Sequence, residues 1–186
     1  MRYIAFLRAI NVGGHVVKMD RLRALFESVG LENVETFIAS GNVIFDSGAR
    51  NAASLEVKIA KQLEAALGYE VATFLRTASE LASVAAHEPF LGTDDARLYV
   101  GFLATPLTKD GERAVMAFRT DVDDFHVHHR EIYWSCTVPS IDSKFSLARL
   151  ERALKAQATF RNVTTVRKMA EKYGTQKRSS RPNPGR

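Results

Sequence analysis

The sequence predicts an α+β protein in which one structural unit occurs twice, and three observations predict it. Tyr3-Ile4-Ala5-Phe6-Leu7 returns as Tyr99-Val100-Gly101-Phe102-Leu103, at a spacing of 96 positions from Tyr3 to Tyr99. Both runs are apolar at nearly every position, which is how a strand covered on both faces reads. The segments that follow then repeat in one order: strand, helix, strand, strand, helix, strand, helix. Self-similarity of this kind defines the architecture before any single element does.

After the first strand and a glycine-rich loop, Met19-Asp20-Arg21-Leu22-Arg23-Ala24-Leu25-Phe26 places Leu22, Leu25 and Phe26 at helical spacing, and Thr108 to Phe118 does the same with Val115, Met116 and Phe118. Val34 to Ser40 and Asn42 to Asp46 flank Gly41-Asn42, a dipeptide that adopts the positive φ angles of a tight hairpin. Their counterparts are Phe125 to His129 and Ile132 to Cys136, around Arg130-Glu131. Leu55, Ile59, Leu63 and Leu67 form one face of a helix, as do Leu147, Leu150 and Leu154. Ala72-Thr73-Phe74 is matched by Ala158-Thr159-Phe160, and the helices that follow carry Leu81 and Val84 in one copy, Val166 and Met169 in the other. The first six elements of each copy are the split βαβ order of the ferredoxin-like fold. The expectation is a tandem duplication of a ferredoxin-like βαββαβ unit, each followed by a helix, over residues 1–90 and 96–174. Pro89 and the Gly/Asp-rich stretch around Gly92 to Asp95 mark the join. Because the opening strands lack apolar/polar alternation, the two repeats are expected to pack on each other as one compact body.

Composition excludes several classes. With 186 residues, 46% hydrophobic and 25% charged, the chain sits at the globular average, outside the disordered, collagen-like and disulfide-scaffold ranges. Cys136 is the single cysteine, so no internal disulfide forms. The apolar run between Arg2 and Arg8 is too short for a signal-peptide core, and no later stretch is long enough for a bilayer; the expectation is a cytoplasmic protein without a membrane partner. The net charge of +5 is unevenly placed: residues 144–186 hold 12 Lys/Arg and 2 Asp/Glu, and the rest hold 14 and 19. Residues 175–186 read as a basic, flexible Pro/Ser/Arg tail, either a solubilising end or a contact to nucleic acid through phosphate neutralisation.

The strongest candidate site is the loop from Arg8 to Lys18. Adjacent glycines Gly13 and Gly14 let successive backbone N–H groups face one concavity, a helix N-terminus follows, and Arg8 and Lys18 add full charges. Phosphate or carboxylate binding is one reading. The other is conformational, with the glycines supplying positive φ and Asn11 tying the loop by side-chain hydrogen bonds. The loop matches neither the phosphate-loop nor the dinucleotide signature, and no cofactor is expected. Ser40 and Asn42 join the same pocket if their hairpin folds toward this loop; otherwise they are turn residues. Arg161-Asn162-Val163-Thr164-Thr165 is read as the start of the last helix, capped by Asn162 or Thr164, and Arg161 and Lys168 add cations to an anion site there. His15 is the one candidate base near the loop, which leaves an enzyme at the same pocket as a further alternative.

His126, His128 and His129 suggest a metal, but only His126 and His128 share a strand face and no neighbouring cysteine completes a ligand set, so no metal is expected. Phe125 and Val127 are expected to face the core, with Asp121, Asp123 and Asp124 in the preceding loop. Cys136 falls in register with Ile132 and Trp134 on a core face.

Leu7-Arg8-Ala9-Ile10-Asn11-Val12-Gly13-Gly14, Lys18-Met19, Ser40-Gly41-Asn42-Val43 with Phe45, and Thr159 to Val166 together resemble the bacterial family catalogued as domain of unknown function sixteen ninety-seven, from Met1 to about Gly174. That family usually has glycine where Ala9 stands and often an aromatic residue at the place of Val163. The resemblance implies a compact duplicated α+β fold in a small cytoplasmic protein whose activity has no established description.

Overall fold

Five consecutive apolar residues, Tyr3 to Leu7, make β1 (Arg2–Leu7) a strand with no solvent-facing side. In the computed structural model, which describes residues 1–11, 13–38 and 41–174, β1 pairs antiparallel with β3 (Asn42–Asp46) and with β4 (Thr73–Thr77), and β2 (Glu32–Thr36) pairs with β3. The resulting order is β2-β3-β1-β4. A second antiparallel sheet has the order β6-β7-β5-β8, built from β5 (Leu98–Phe102), β6 (Asp123–His128), β7 (Glu131–Cys136) and β8 (Thr159–Asn162). Helices α1 (Met19–Glu27), α2 (Ala52–Leu67) and α3 (Ala78–Ala86) belong to the first half, and α4 (Lys109–Met116), α5 (Leu147–Leu154) and α6 (Val163–Tyr173) to the second. The described residues thus form a compact α+β body of two four-stranded sheets and six helices.

Side-chain alternation along β1 sorts the core into layers. Tyr3, Ala5 and Leu7 pack under α1 and α2 with Leu22, Phe26, Leu55 and Ile59. Ile4 and Phe6 point the other way and share one cluster with Val100, Phe102 and Tyr133 of the second sheet and with Leu81, Val166 and Met169 of α3 and α6. A third cluster around Phe125, Ile132, Trp134, Cys136 and Leu150 lies on the outer side of the second sheet. At the centre of the middle layer the rings of Phe6 and Phe102 stack with centroids 3.7 Å apart and planes within 9°.

Local signals set the boundaries. Asn51 and Thr77 cap α2 and α3, Thr77 within a full capping box with Glu80. Asn162, not Thr164, caps α6, accepting from the Thr164 N–H at 2.9 Å. Three expectations need correction. The second strand ends at Thr36, short of Ser40, because Ile38 takes a left-handed φ of 56° and the Phe37 N–H closes on the Asn42 carbonyl. Asp123 and Asp124 lie inside β6; Asp123 is buried, accepting from the Trp134 indole at 2.9 Å and the Ser143 hydroxyl at 2.7 Å. Arg161 lies in β8, one residue before the helix cap.

Glu56 on α2 satisfies the outer edge of β4, accepting from the Leu75 N–H at 2.7 Å, and burial pushes its pKa up. A carboxyl with a raised native pKa contributes stability at acid pH that is lost as pH rises through the native value. Glu56→Gln should therefore raise stability, relative to the parent, more at about pH 7 than at about pH 3, which lies below the ordinary glutamate range; urea unfolding at the two pH values measures it, and an equal difference at both contradicts it. In the same assay Phe6→Ala and Phe102→Ala should each cost about 3–5 kcal/mol. The double variant should cost clearly less than their sum, because each ring is the other's contact.

Candidate functional site

Two buried arginines cross the middle layer in opposite directions. Arg76 lies opposite Ile4 on β1, and Arg161 lies opposite Val100 on β5, the two positions that the 96-residue spacing relates. From β4, Arg76 donates to Glu131 Oε1 at 2.6 Å and to the carbonyls of Leu103 and Arg130 at 2.9 and 3.1 Å, all in the second half. From β8, Arg161 donates to Asn42 Oδ1 at 2.7 Å and to the carbonyls of Leu7 and Gly41 at 2.8 and 3.4 Å, all in the first half. Each also bonds the carbonyl of the residue before it, Leu75 at 2.7 Å and Phe160 at 2.9 Å. Thr159 Oγ1 takes one further Arg161 N–H at 2.8 Å.

The two differ in charge balance. Burial pushes the Arg76 pKa down, and the carboxylate of Glu131 works against that shift. Burial alone pushes Arg161 down to about 10, and among the described residues no carboxylate pairs with it. The difference lies in one residue: Glu131 opposite Phe102, Asn42 opposite Phe6.

The sequence-derived site residues distribute as follows. Arg161 and Asn42 meet directly, at the end of β1 where Leu7 supplies its carbonyl. Gly41 is required there, since a Cβ would stand 2.8 Å from Ile10 Cγ2 and 3.2 Å from Leu7 Cβ. Arg8 turns away, forming two 2.6 Å hydrogen bonds to Glu151 of α5, and these hold its pKa up. Asn11 Oδ1 accepts from the Val17 N–H at 2.9 Å, so this side chain ties the loop. Gly13 and Gly14 are exposed with φ of 63° and 84°. Lys18 and Lys168 are exposed and have no ion pair among the described residues. Lys168 follows Arg161 by seven residues, as Ser83 follows Arg76, and Ser83 lines a cleft of about 430 Å³ with Arg76, His128 and Arg130. Ser40 and the basic tail lie outside the described residues. His15 lies flat on the ring of Tyr69 at 4.0 Å, and the Tyr69 hydroxyl donates to the Ile10 carbonyl at 2.8 Å.

A groove of about 490 Å³ along α2 and β4 is lined by Glu56, Lys61, Glu64 and Glu70 and holds none of the candidate residues; its acidic wall does not suit an anion. A smaller cavity of about 140 Å³ lies beside the end of α3.

One group of side chains was beyond sequence spacing. His87, directly after α3, stacks on His128 with ring centroids 4.1 Å apart and lies 5.2 Å from His126. Burial, followed by the facing imidazole of His128, pushes the pKa of His87 and of His126 down. His87 belongs to a different half from the other two, and no local pattern announces it.

Comparison with known proteins agrees with this architecture. A solved structure of the conserved bacterial protein SP0830 from Streptococcus pneumoniae superposes with a TM-score of 0.75 at 25% identity, covering 94% of this chain and 98% of that one. Among the curated proteins none matches. A family model described as "Protein of unknown function (DUF1697)" matches residues 1–133, leaving the Thr159 to Val166 segment outside the match. Since that match takes in β1 through most of the β6–β7 hairpin, the chain belongs to the family of proteins of unknown function DUF1697.

Proposed function

We propose that this protein binds a small phosphate- or carboxylate-bearing anion at the Arg8 to Lys18 loop, over the end of β1. One observation carries the reading: Arg161 is a buried guanidinium whose partners among the described residues are all neutral, whereas Arg76 faces Glu131. A buried unit charge without a counter-charge projects a positive potential through a medium that screens it poorly. Its five N–H donors are already engaged, so Arg161 acts through its field. Direct contacts come from Lys18, Lys168 and the backbone N–H groups at Gly13 and Gly14. Arg8, Asn11 and Asn42 act as scaffold, holding the loop to α5, to itself and to Arg161. An enzyme at this loop has little support, because its candidate base, His15, is stacked on Tyr69.

The same reading takes the two halves, residues 1–90 and 96–174, as copies of one ferredoxin-like βαββαβ unit with an added helix. Matching strand orders and the matching registers of Arg76 and Arg161 support it. A cytoplasmic setting fits a single buried free thiol, Cys136; among the described residues no helix is long and apolar enough to cross a membrane.

Isothermal titration with inorganic phosphate, pyrophosphate and citrate tests the binding. At least one should bind saturably, and Lys18→Ala, Lys168→Ala and Asn42→Asp should each weaken it by about tenfold, the cost of one lost charge interaction of about 1.4 kcal/mol. Asn42→Asp is the sharpest variant, because it gives Arg161 the carboxylate that Arg76 already has. No binding, or affinity unmoved by all three variants, contradicts the proposal. A second reading, contact with nucleic acid through residues 175–186, rests on the +10 charge of residues 144–186. Gel shifts over a salt series should show retention that falls steeply with salt and disappears on removal of residues 175–186; equal retention with and without the tail rejects it.

A further inference from the structure

We propose that His87, His126 and His128 form a binding site for a divalent transition-metal ion, with Zn²⁺ the first candidate. His126 and His128 alternate on β6 and so present their imidazoles on one face, toward the middle layer. His87 caps the end of α3 and comes down on that face from the other half. One ligand nitrogen from each of the three lies within 4.8 Å of the other two. A tetrahedral zinc with Zn–N bonds near 2.0–2.1 Å requires its nitrogens about 3.4 Å apart, and because an ion lies in the plane of each imidazole that holds it, one ring of the stacked His87–His128 pair turns out of the stack on binding.

A second, independent observation points to a ligand. Nε2 of His87 is buried and has no hydrogen-bond partner among the described residues. A buried ring nitrogen left unsatisfied is costly, and coordination to an ion is one way to satisfy it. The donor set is also selective. Three imidazoles without a thiolate suit zinc, copper and nickel better than magnesium or calcium. Three protein ligands leave a fourth position for water or an exogenous ligand, the pattern of open rather than structural zinc sites.

The consequence is mechanical as well as chemical. An ion held by His87 on one side and by His126 and His128 on the other links α3 to β6, and therefore one half to the other, at the cleft that His128 lines with Arg76 and Arg130. Of the five histidines in the chain, His15 and His129 fall outside the set and serve as controls.

The test uses the full chain with Zn²⁺ in isothermal titration and Co²⁺ as a spectroscopic substitute. The proposal predicts one ion per chain, a raised melting temperature with Zn²⁺, and visible absorption of four-coordinate cobalt. His87→Gln and His126→Gln should each weaken Zn²⁺ binding by at least about tenfold, and His15→Gln and His129→Gln should leave it unchanged. Circular dichroism establishes that each variant is folded, and the parent protein alone decides the first arm. Absence of saturable binding to the parent, or binding that survives His87→Gln in a folded protein, overturns the site.

Discussion

A buried guanidinium needs oxygen acceptors for five N–H groups, and in this fold the decisive acceptors of each arginine lie in the other half. Arg76 leaves β4 for Glu131, Leu103 and Arg130; Arg161 leaves β8 for Asn42, Leu7 and Gly41. Pulling the two sheets apart would strip both cations of those partners while exposing the Phe6–Phe102 stack. Unpaired buried donors are far more costly than made hydrogen bonds are favourable. The middle layer is thus specified twice, by apolar area and by polar satisfaction. That double demand explains why β1 and β5 are apolar on both faces while β4 and β8 each carry a buried arginine.

The same reciprocity is where the two halves part company. A carboxylate at position 131 balances one arginine, and an amide at position 42 leaves the other uncompensated. The side with Glu131 has a cleft crossed by the Arg130–Glu80 pair and lined by His128, which His87 and His126 adjoin. On the side with Asn42 the buried Arg161 meets only neutral partners among the described residues. The two arginines therefore sit in surroundings of different charge, and the proposed anion and metal sites lie on these two different sides.

Much of the fold was legible because apolar residues report burial directly. The strands at Tyr3 and Tyr99, the Leu55 to Leu67 helix face and the Ile132/Trp134/Cys136 register all follow from spacing alone. What stayed hidden depends on contacts distant in sequence. Arg161 reads as a surface cation because its acceptors across the middle layer, Asn42, Gly41 and Leu7, lie 119 residues or more away, and the helix signal at Asn162 drew it into the wrong element. Arg8 reads as a free charge until Glu151 arrives from α5. His87 sits among helix-end residues, and nothing near it in sequence suggests that β6 will bring two more imidazoles. Asp123 looked like loop because aspartate is rare in strands, yet the indole of Trp134 gives it a buried partner.

If reciprocal burial makes the halves a single cooperative unit, they must unfold together. Trp134, the chain's one tryptophan, lies in β7 and reports on the second sheet alone, whereas far-ultraviolet circular dichroism reports on both. Equilibrium urea unfolding followed by both probes should give superimposable transitions with one midpoint. Separate midpoints, or a two-step dichroism curve with a single-step fluorescence curve, would show that the sheets stand without each other and that the crossed arginines do not hold the fold together.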